Sequence, residues 1–334
     1  MAKVAINGMG RIGRATLKIV LDTPELELVA VNDIASRDNI AYLLKYDTAY
    51  GRYDKEVAVD GENLIVGDQT FKFFQERDPA DLPWEELGID IALECTGFFR
   101  NEAGVKKHLE AGAEFVILSA PAKGDGIPTV VHGVSKPPED AKYLSAASCT
   151  TNSITPVVEI IGRRLGIQKA IMTTIHAYTS TQAIVDGPSS KIRRGRAAAA
   201  NFVPTTTGAA IATTRVLPEY EGKFNGVAVR APIPVGSISD LIFLTEKDTT
   251  VEEVQEILKE EAESDKYKGI FLASDEPLVS SDIVGTSYAS IADLEMTRVV
   301  DGNLVKIMAW YDNEWGFTSQ MVREAVRVAK EKGF

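Results

Sequence analysis

Over the first 150 positions the apolar residues fall into short runs, each closed by glycine, proline or acidic residues. Lys3–Asn7 reads as a strand, and Gly8-Met9-Gly10-Arg11-Ile12-Gly13 follows it. Arg14–Leu21 then has a helical pattern that Pro24 breaks, and Leu26–Val31 is a second strand ending at Asn32-Asp33. Together these pieces make a β-α-β unit. The alternation continues with a strand at Ile89–Glu94, a helix near Asn101–Ala111 and a strand at Phe115–Ser119. Such a rhythm predicts a largely parallel sheet with helices on both faces.

The pattern changes after about residue 148. Ile154–Leu165 looks helical and Ala170–His176 is a β-branched strand. A long irregular stretch, Ala177–Pro204, comes next, rich in Ser, Arg, Gly and Ala. The later strands are long and antiparallel in character: Gly226–Ala231, Ser239–Glu246 and Met296–Tyr311, the last holding the hairpin signal Asp301-Gly302. Val251, Val254, Ile257 and Leu258 make one apolar helical face, with acidic residues on the solvated side. A helix near Ser319–Lys330 closes the chain. The second half therefore reads as α+β.

Composition narrows the classes. The 334 residues suit two domains, and 45% are hydrophobic, enough for large cores. No apolar run of about 18 residues is present, so no membrane-spanning helix is expected, and the N-terminus lacks the apolar stretch of a signal peptide. Acidic residues outnumber basic ones, 48 to 36, for a net charge of −12. A surface of that sign repels polyanions, so nucleic acid is a poor partner. An anionic substrate then needs local arginines and helix N-termini. Only Cys95 and Cys149 are present, with no disulfide framework and no metal-type spacing, which suits a reducing cytoplasm.

Two motifs carry chemistry. The glycine cluster lies between a strand and a helix, and Asp33 stands at the end of the next strand. That setting specifies dinucleotide binding in a Rossmann domain. Gly8 allows the tight turn, Gly10 the approach of the pyrophosphate, and Gly13 close helix–strand packing. Asp33 is expected to accept hydrogen bonds from the adenosine ribose. A 2′-phosphate about 4 Å from its carboxylate would cost roughly 1–4 kcal/mol, which favours NAD over NADP. Arg37 could offset part of that cost and leaves NADP open.

Cys149, in Ala147-Ser148-Cys149-Thr150-Thr151-Asn152, precedes the helix expected from Ile154. The positive end of a helix favours the thiolate. Cys95 lies in an apolar strand and reads as a core thiol. A thiolate nucleophile needs a proton acceptor near neutral pH, which suits histidine. His108 is expected to be solvated beside Lys106 and Lys107, and His132 has no polar cluster near it in sequence. His176 ends an apolar strand and opens the polar irregular stretch; position alone leaves it a candidate among the three.

These residues also carry a resemblance. Ala147–Asn152 is similar to the active-site signature of the glyceraldehyde-3-phosphate dehydrogenase family. Asn7–Arg14, Thr205–Ala210 and Trp310–Glu314 resemble its other landmarks, in the same order and over essentially the whole chain. The resemblance implies that Cys149 is the nucleophile and His176 its base. It implies that Thr179 and Arg230 hold the substrate's phosphate, and that Ser148, Thr150, Arg194, Thr207 and Gly208 hold attacking inorganic phosphate. For the cofactor it adds Arg11, Ile12, Arg77, Thr96, Ser119 and Asn313 to Gly8, Gly10 and Asp33. Residues 1–148 would form the NAD domain, completed by a C-terminal helix over 313–334, and 149–312 the catalytic domain with its mainly antiparallel sheet. The irregular stretch would line a neighbouring subunit's cofactor site in a homotetramer. Met9 and Phe317 depart from the family, where aromatic and tyrosine side chains are common, and Ser153 replaces a second cysteine of some members. Gly187-Pro188 keeps a proline of NAD-preferring members.

The implied reaction oxidises glyceraldehyde 3-phosphate through a Cys149 thioester that inorganic phosphate cuts. A sibling activity, erythrose-4-phosphate dehydrogenase, would cut it with water, but its members lack the Thr-Gly pair seen here as Thr207-Gly208. A non-catalytic NAD-binding protein would predict a broken Cys–His–Arg set, and the set is intact.

Overall fold

The computed structural model describes all 334 residues. They divide into two compact units. The first comprises Met1–His132, Lys136–Ala147 and Thr318–Phe334; the second comprises Gly133–Ser135 and Ser148–Phe317.

In chain order the first unit contains β1 (Ala2–Asn7), α1 (Arg11–Leu21), β2 (Leu26–Asn32), α2 (Arg37–Lys45), β3 (Tyr46–Asp47), β4 (Gly51–Arg52), β5 (Val57–Asp60), β6 (Asn63–Val66) and β7 (Gln69–Phe74). It continues with α3 (Trp84–Leu87), β8 (Ile91–Glu94), α4 (Glu102–Glu110), β9 (Phe115–Leu118) and β10 (Tyr143–Ser145). The main sheet has the order β10-β9-β8-β1-β2-β7-β6-β5. Its strands are parallel from β10 to β7. The hairpin β5–β6 adds two antiparallel strands at one edge. β1 pairs with β2 on one side and β8 on the other, so the direction of winding reverses there. A crevice opens at such a reversal, outside the carboxyl ends of the strands.

One cluster in this unit sets the small side chains Ala5, Ala30 and Ala92 of the sheet against Trp84 and Ile89. Short side chains let helices approach closely. Gly13 shows the limit: a Cβ there would stand 1.8 Å from the Gly8 carbonyl oxygen.

The second unit contains α5 (Cys149–Leu165), β11 (Ile167–Ala177), β12 (Val203–Thr206), α6 (Ala209–Val216), β13 (Phe224–Ala231), β14 (Ser237–Thr245), α7 (Val251–Glu263), β15 (Phe271–Ser274), β16 (Ser290–Val300) and β17 (Leu304–Tyr311). Its sheet runs β12-β13-β11-β14-β17-β16-β15. Four junctions are antiparallel, whereas β11–β13 and β15–β16 are parallel. The sheet is therefore mixed and mainly antiparallel. Helices α5 and α7 bury Ile154, Ile161, Val254 and Leu258 on one core with Leu241, Phe243 and Ile307 of the strands. Asp301 and Gly302 turn the β16–β17 hairpin with φ of 50° and 75°. Asp-Gly suits that left-handed pair of residues. The chain ends in α8 (Trp315–Lys332).

Two elements extend beyond what the sequence pattern suggests. α5 starts at Cys149 rather than Ile154, because the Ser148 hydroxyl caps it by accepting the Thr151 N–H at 3.1 Å. Pro156 lies inside the helix, in its second turn. β11 runs on to Ala177, so His176 lies inside the strand.

An ion cluster ties α5 to α7 and to the segment after it. Glu159 accepts from Arg163 Nε at 2.9 Å and Tyr267 Oη at 2.5 Å and pairs with Lys266 at 2.8 Å, while Arg163 also reaches Glu261 at 2.7 Å. Burial alone would raise Glu159, but these partners outweigh it and bring it to about 2, from an ordinary 4.5. A depressed carboxyl stabilises the fold above its unfolded value, and that stability is lost as pH falls from about 4.5 towards 2. Glu159→Gln is expected to cost about 1–3 kcal/mol at pH 7 and much less near pH 2. Urea unfolding of both proteins at the two pH values measures this, and an equal cost at both would contradict it.

Candidate active site

In the second unit, α5 begins with the cysteine itself. Ala147, just before the capping Ser148, has φ of 61°, a left-handed conformation that costs a non-glycine residue about 1–2 kcal/mol. Cys149 Sγ lies 3.3 Å from His176 Nε2. The His176 Nδ1 stands 2.6 Å from the Ala177 carbonyl oxygen, and Arg230 Nη1 is 2.9 Å from the same oxygen and 2.6 Å from Nδ1. β11 and β13 are parallel and in register at this point, pairing His176 with Arg230 and Ala177 with Ala231. That register brings a base and a cation to one end of the sheet. Two tautomers fit these contacts: a proton on Nδ1 donated to the carbonyl leaves Nε2 to accept from the thiol, whereas an Nδ1 that accepts from Arg230 carries the ring proton on Nε2.

Burial dominates both titrating groups. It lowers His176 to about 3, helped by the charge of Arg230 and opposed by the Ala177 carbonyl. It raises Cys149 above its ordinary value, against the pull of Arg230 and of the Thr150 hydroxyl. The pair therefore rests as thiol and neutral imidazole, and a proton moved from sulfur to Nε2 makes an ion pair beside a guanidinium. Cys95 is not the core thiol expected: it follows β8, is only part-buried and lines the cavity of the first unit, and burial with the neighbouring Glu94 pushes its thiol up to about 12.

One hydroxyl near the sulfur escapes the sequence reading. Buried Tyr311 places its Oη 2.9 Å from Thr150 Oγ1 and 2.8 Å from Thr174 Oγ1, bridging α5 and β11. Its ring meets His176 edge-on at 6.0 Å. The alternation of β17 turns Tyr311 towards the core, a signal readable from the strand pattern.

The other anion-site candidates form a second group. Thr179 Oγ1 bonds Thr181 Oγ1 at 2.8 Å, and Arg194 Nη1 reaches Thr181 Oγ1 at 3.2 Å. Arg194 Nε also donates to Thr205 Oγ1 at 3.0 Å. Thr207 Oγ1 accepts the Ala209 N–H at 3.1 Å just before α6, and nothing lies within 4 Å of where a Gly208 Cβ would stand. Asn313 is buried, its Oδ1 accepting from Ser237 Oγ at 2.8 Å and the Gly236 N–H at 3.2 Å. Its amide orientation is thereby set, leaving Nδ2 to donate elsewhere. Phe317, the departure noted above, is buried.

In the first unit, a cavity of about 480 Å³ opens at the winding reversal, lined by Gly8, Gly10, Asp33, Arg77 and Thr96 among others. Gly8 has φ of 96°, and nothing lies within 4 Å of where a Gly10 Cβ would stand. No side chain caps α1 at Gly10, which leaves the helix start to an anion. The Arg11 side chain is paired with Asp47 and lies over the Tyr50 ring. Ile12 is half-buried in the first turn of α1, and the Ser119 N–H donates to the Glu94 carbonyl at 3.0 Å. These residues fit a dinucleotide. Asp33 accepts the Met9 N–H at 2.6 Å and the Ala35 N–H at 2.8 Å, which fixes its carboxylate beside the turn.

Arg37, the residue that left NADP open, donates its Nε and Nη2 to the Phe73 carbonyl at 3.2 and 3.1 Å. Asp33→Ala is expected to raise the KM for NAD about tenfold and to shrink discrimination against NADP by a similar factor. Steady-state KM values for both cofactors read this, and unchanged discrimination would contradict the role of Asp33.

Two histidine expectations are corrected. His108 is not solvated: it is fully buried, 3.0 Å from Glu94 and 3.1 Å from the Trp84 indole nitrogen. His132 does have a polar partner, Glu324 at 2.9 Å, supplied by the distant C-terminal helix. Neither partner is close in sequence, so local context missed both.

Comparison with known proteins agrees with this geometry. Residues 2–102 match the family profile "Glyceraldehyde 3-phosphate dehydrogenase, NAD binding domain" and residues 148–313 match the corresponding "C-terminal domain". The chain belongs to the glyceraldehyde-3-phosphate dehydrogenase family. Relatives include the glyceraldehyde-3-phosphate dehydrogenase of Geobacillus stearothermophilus, 47% identical over 332 residues, 98% of each chain. Glyceraldehyde-3-phosphate dehydrogenase 1 of Bacillus subtilis strain 168 is also 47% identical, with the same coverage. The Zymomonas mobilis enzyme is 44% identical over 98% of each chain. The chain is thus an oxidoreductase with the NAD-binding domain of that family.

Proposed function

We propose that this protein oxidises glyceraldehyde 3-phosphate to 1,3-bisphosphoglycerate with NAD, conserving the oxidation energy in a thioester at Cys149. The observation that carries the reading is the Cys149 Sγ–His176 Nε2 contact at 3.3 Å with Arg230 beside it.

The steps follow from these residues. His176 Nε2 takes the thiol proton, and the Cys149 sulfur bonds to the aldehyde carbon to give a hemithioacetal. Thr179 and Arg230 hold the substrate phosphate. An anion paired with Arg230 offsets its repulsion of a charged His176, so substrate binding itself makes the base stronger. NAD, when bound, supplies the hydride acceptor. As the hydride leaves the substrate carbon, His176 removes the hydroxyl proton and the C–O bond becomes the carbonyl of a thioester. Ser148, Thr150, Arg194, Thr207 and Gly208 hold inorganic phosphate, whose oxygen attacks that carbonyl and displaces the Cys149 sulfur. In the cofactor cavity, Gly8, Gly10, Arg11 and Ile12 serve the pyrophosphate through the start of α1. Asp33 and Arg77 serve the adenosine. Thr96 and Ser119 would also hold the cofactor, and Asn313 would orient its nicotinamide carboxamide.

A cytoplasmic homotetramer suits the surface. Ile171 and Val227 are more than half exposed on the β11–β13 sheet, as are Ile184, Ile192 and Phe202 on the irregular stretch. Apolar side chains presented in this way fit coverage by further copies of the chain. Both cysteines are free, as a reducing compartment keeps them.

The reading is tested by NADH formation from glyceraldehyde 3-phosphate with and without inorganic phosphate. Turnover should require phosphate, and equal rates without it would replace phosphorolysis by hydrolysis.

A further inference from the structure

Several walls of the cofactor cavity are fixed by residues that do not line it. Glu94 ends β8 with its side chain fully buried. Its Oε1 accepts the Thr96 backbone N–H at 2.7 Å and also the Thr96 hydroxyl. Its Oε2 accepts Asn7 Nδ2 at 2.6 Å and lies 3.0 Å from His108 Nε2 on α4. On the far side of that ring, Trp84 Nε1 is 3.1 Å from His108 Nδ1.

The indole nitrogen can only donate, so His108 Nδ1 must accept. The ring proton is then on Nε2 and points at Glu94. Every bond in this chain has one direction, and the Glu94 carboxylate is the common acceptor. The network continues outward: Asn7 Oδ1 accepts Asn32 Nδ2 at 2.7 Å. Asn32 in turn exchanges two bonds with the backbone of Glu76, at 2.9 and 2.8 Å, next to Arg77. Asn7, Asn32, Glu76, Arg77 and Thr96 all line the cavity. The glycine turn is held by contact, since a Gly8 Cβ would stand 2.6 Å from the Thr96 nitrogen.

An apolar pair would fill the same space without the cost of burying two ionisable groups. What the polar pair adds is a defined arrangement of its partners. We infer that Glu94 and His108 are positioning residues for the dinucleotide, holding Thr96, Asn7 and the Arg77 segment in the cofactor-accepting arrangement without touching the cofactor. This rests on the reading of the cavity as the NAD site.

Glu94→Gln keeps the volume but turns an amide donor towards Asn7 or His108. NAD is expected to bind about ten- to hundredfold more weakly. At saturating NAD, kcat should stay within about twofold, and alkylation of Cys149 in the NAD-free enzyme should be unchanged. Adding Trp84→Phe frees Nδ1 to take the proton, so that Nε2 can accept from the introduced amide, and part of the affinity should return. A merely structural role predicts instead that affinity, kcat and alkylation fall together without rescue. Unchanged NAD affinity in folded Glu94→Gln would overturn the inference.

If that variant does not fold, nitrogen-15 spectra of the histidines in the wild-type protein decide. The His108 ring should be the Nε2–H tautomer, and its resonances should shift on saturation with NAD. An Nδ1–H ring, or no shift, would overturn the inference. Wild-type protein that fails to bind NAD would sink the cofactor reading instead.

Discussion

Cys149→Ala is expected to lower kcat by at least about 10⁴-fold while leaving NAD affinity nearly unchanged. The loss follows because the sulfur bonds to the carbon from which hydride leaves, and that bond holds the acyl group as a thioester afterwards. Cys95 is not placed to substitute: it lines the cofactor cavity of the first unit, and burial with Glu94 holds its thiol well above the ordinary range. NAD affinity should survive because Asp33, Gly8 and Gly10 form their cavity within the first unit, to which Cys149 does not belong. Steady-state rates and a fluorescence titration with NAD separate the two effects. Substantial activity in the alanine variant would remove Cys149 from the chemistry.

His176→Asn should lower kcat by about 10²–10⁴-fold, the usual worth of a positioned acid–base group. It should also change how the thiol responds to pH. With Nε2 at 3.3 Å, the sulfur can pass its proton to a neighbour. Without that acceptor, the thiol must ionise in surroundings that raise it, aided by Arg230, the Thr150 hydroxyl and the backbone N–H groups of Thr150 and Cys149. Alkylation of Cys149 by iodoacetamide should therefore slow at neutral pH, and its rise should move to higher pH. An unchanged profile would mean that His176 does not share the proton.

Much of this was legible in the sequence because it depends on local pattern. Glycines between a strand and a helix, with Asp33 at the end of the next strand, describe a site made by consecutive elements. The Asp301-Gly302 turn and the apolar face of α7 are local in the same way. The failures share the opposite property. His108 follows two lysines, yet its ring points into the core, where Trp84 and Glu94 satisfy both nitrogens. His132 meets Glu324 from the far end of the chain. Tyr311 reaches Thr150 and Thr174 only through the order of strands in the second sheet. The parallel pairing of β11 with β13, which sets Arg230 beside His176, has no signal in either strand alone. The apolar pattern also placed the start of α5 late, at Ile154, because the Ser148 cap starts it at Cys149 among small hydroxylated residues.

One energetic theme joins these parts. The site keeps its base neutral and its nucleophile protonated by burial, and Arg230 makes the ionised sulfur attainable. The chain is acidic overall, with a net charge of −12, so the proposed reading assigns anion binding to Arg230, Arg194 and the N-termini of α1 and α5. Charge is thus supplied locally, where the reaction needs it.

The most direct test is the mass of the intact protein after mixing with glyceraldehyde 3-phosphate and NAD in the absence of phosphate. The account predicts one phosphoglyceroyl group per chain, located by peptide mapping to Cys149 and lost on addition of inorganic phosphate as acyl phosphate appears. An unmodified chain that nonetheless makes NADH, or an acyl group on Cys95, would contradict it.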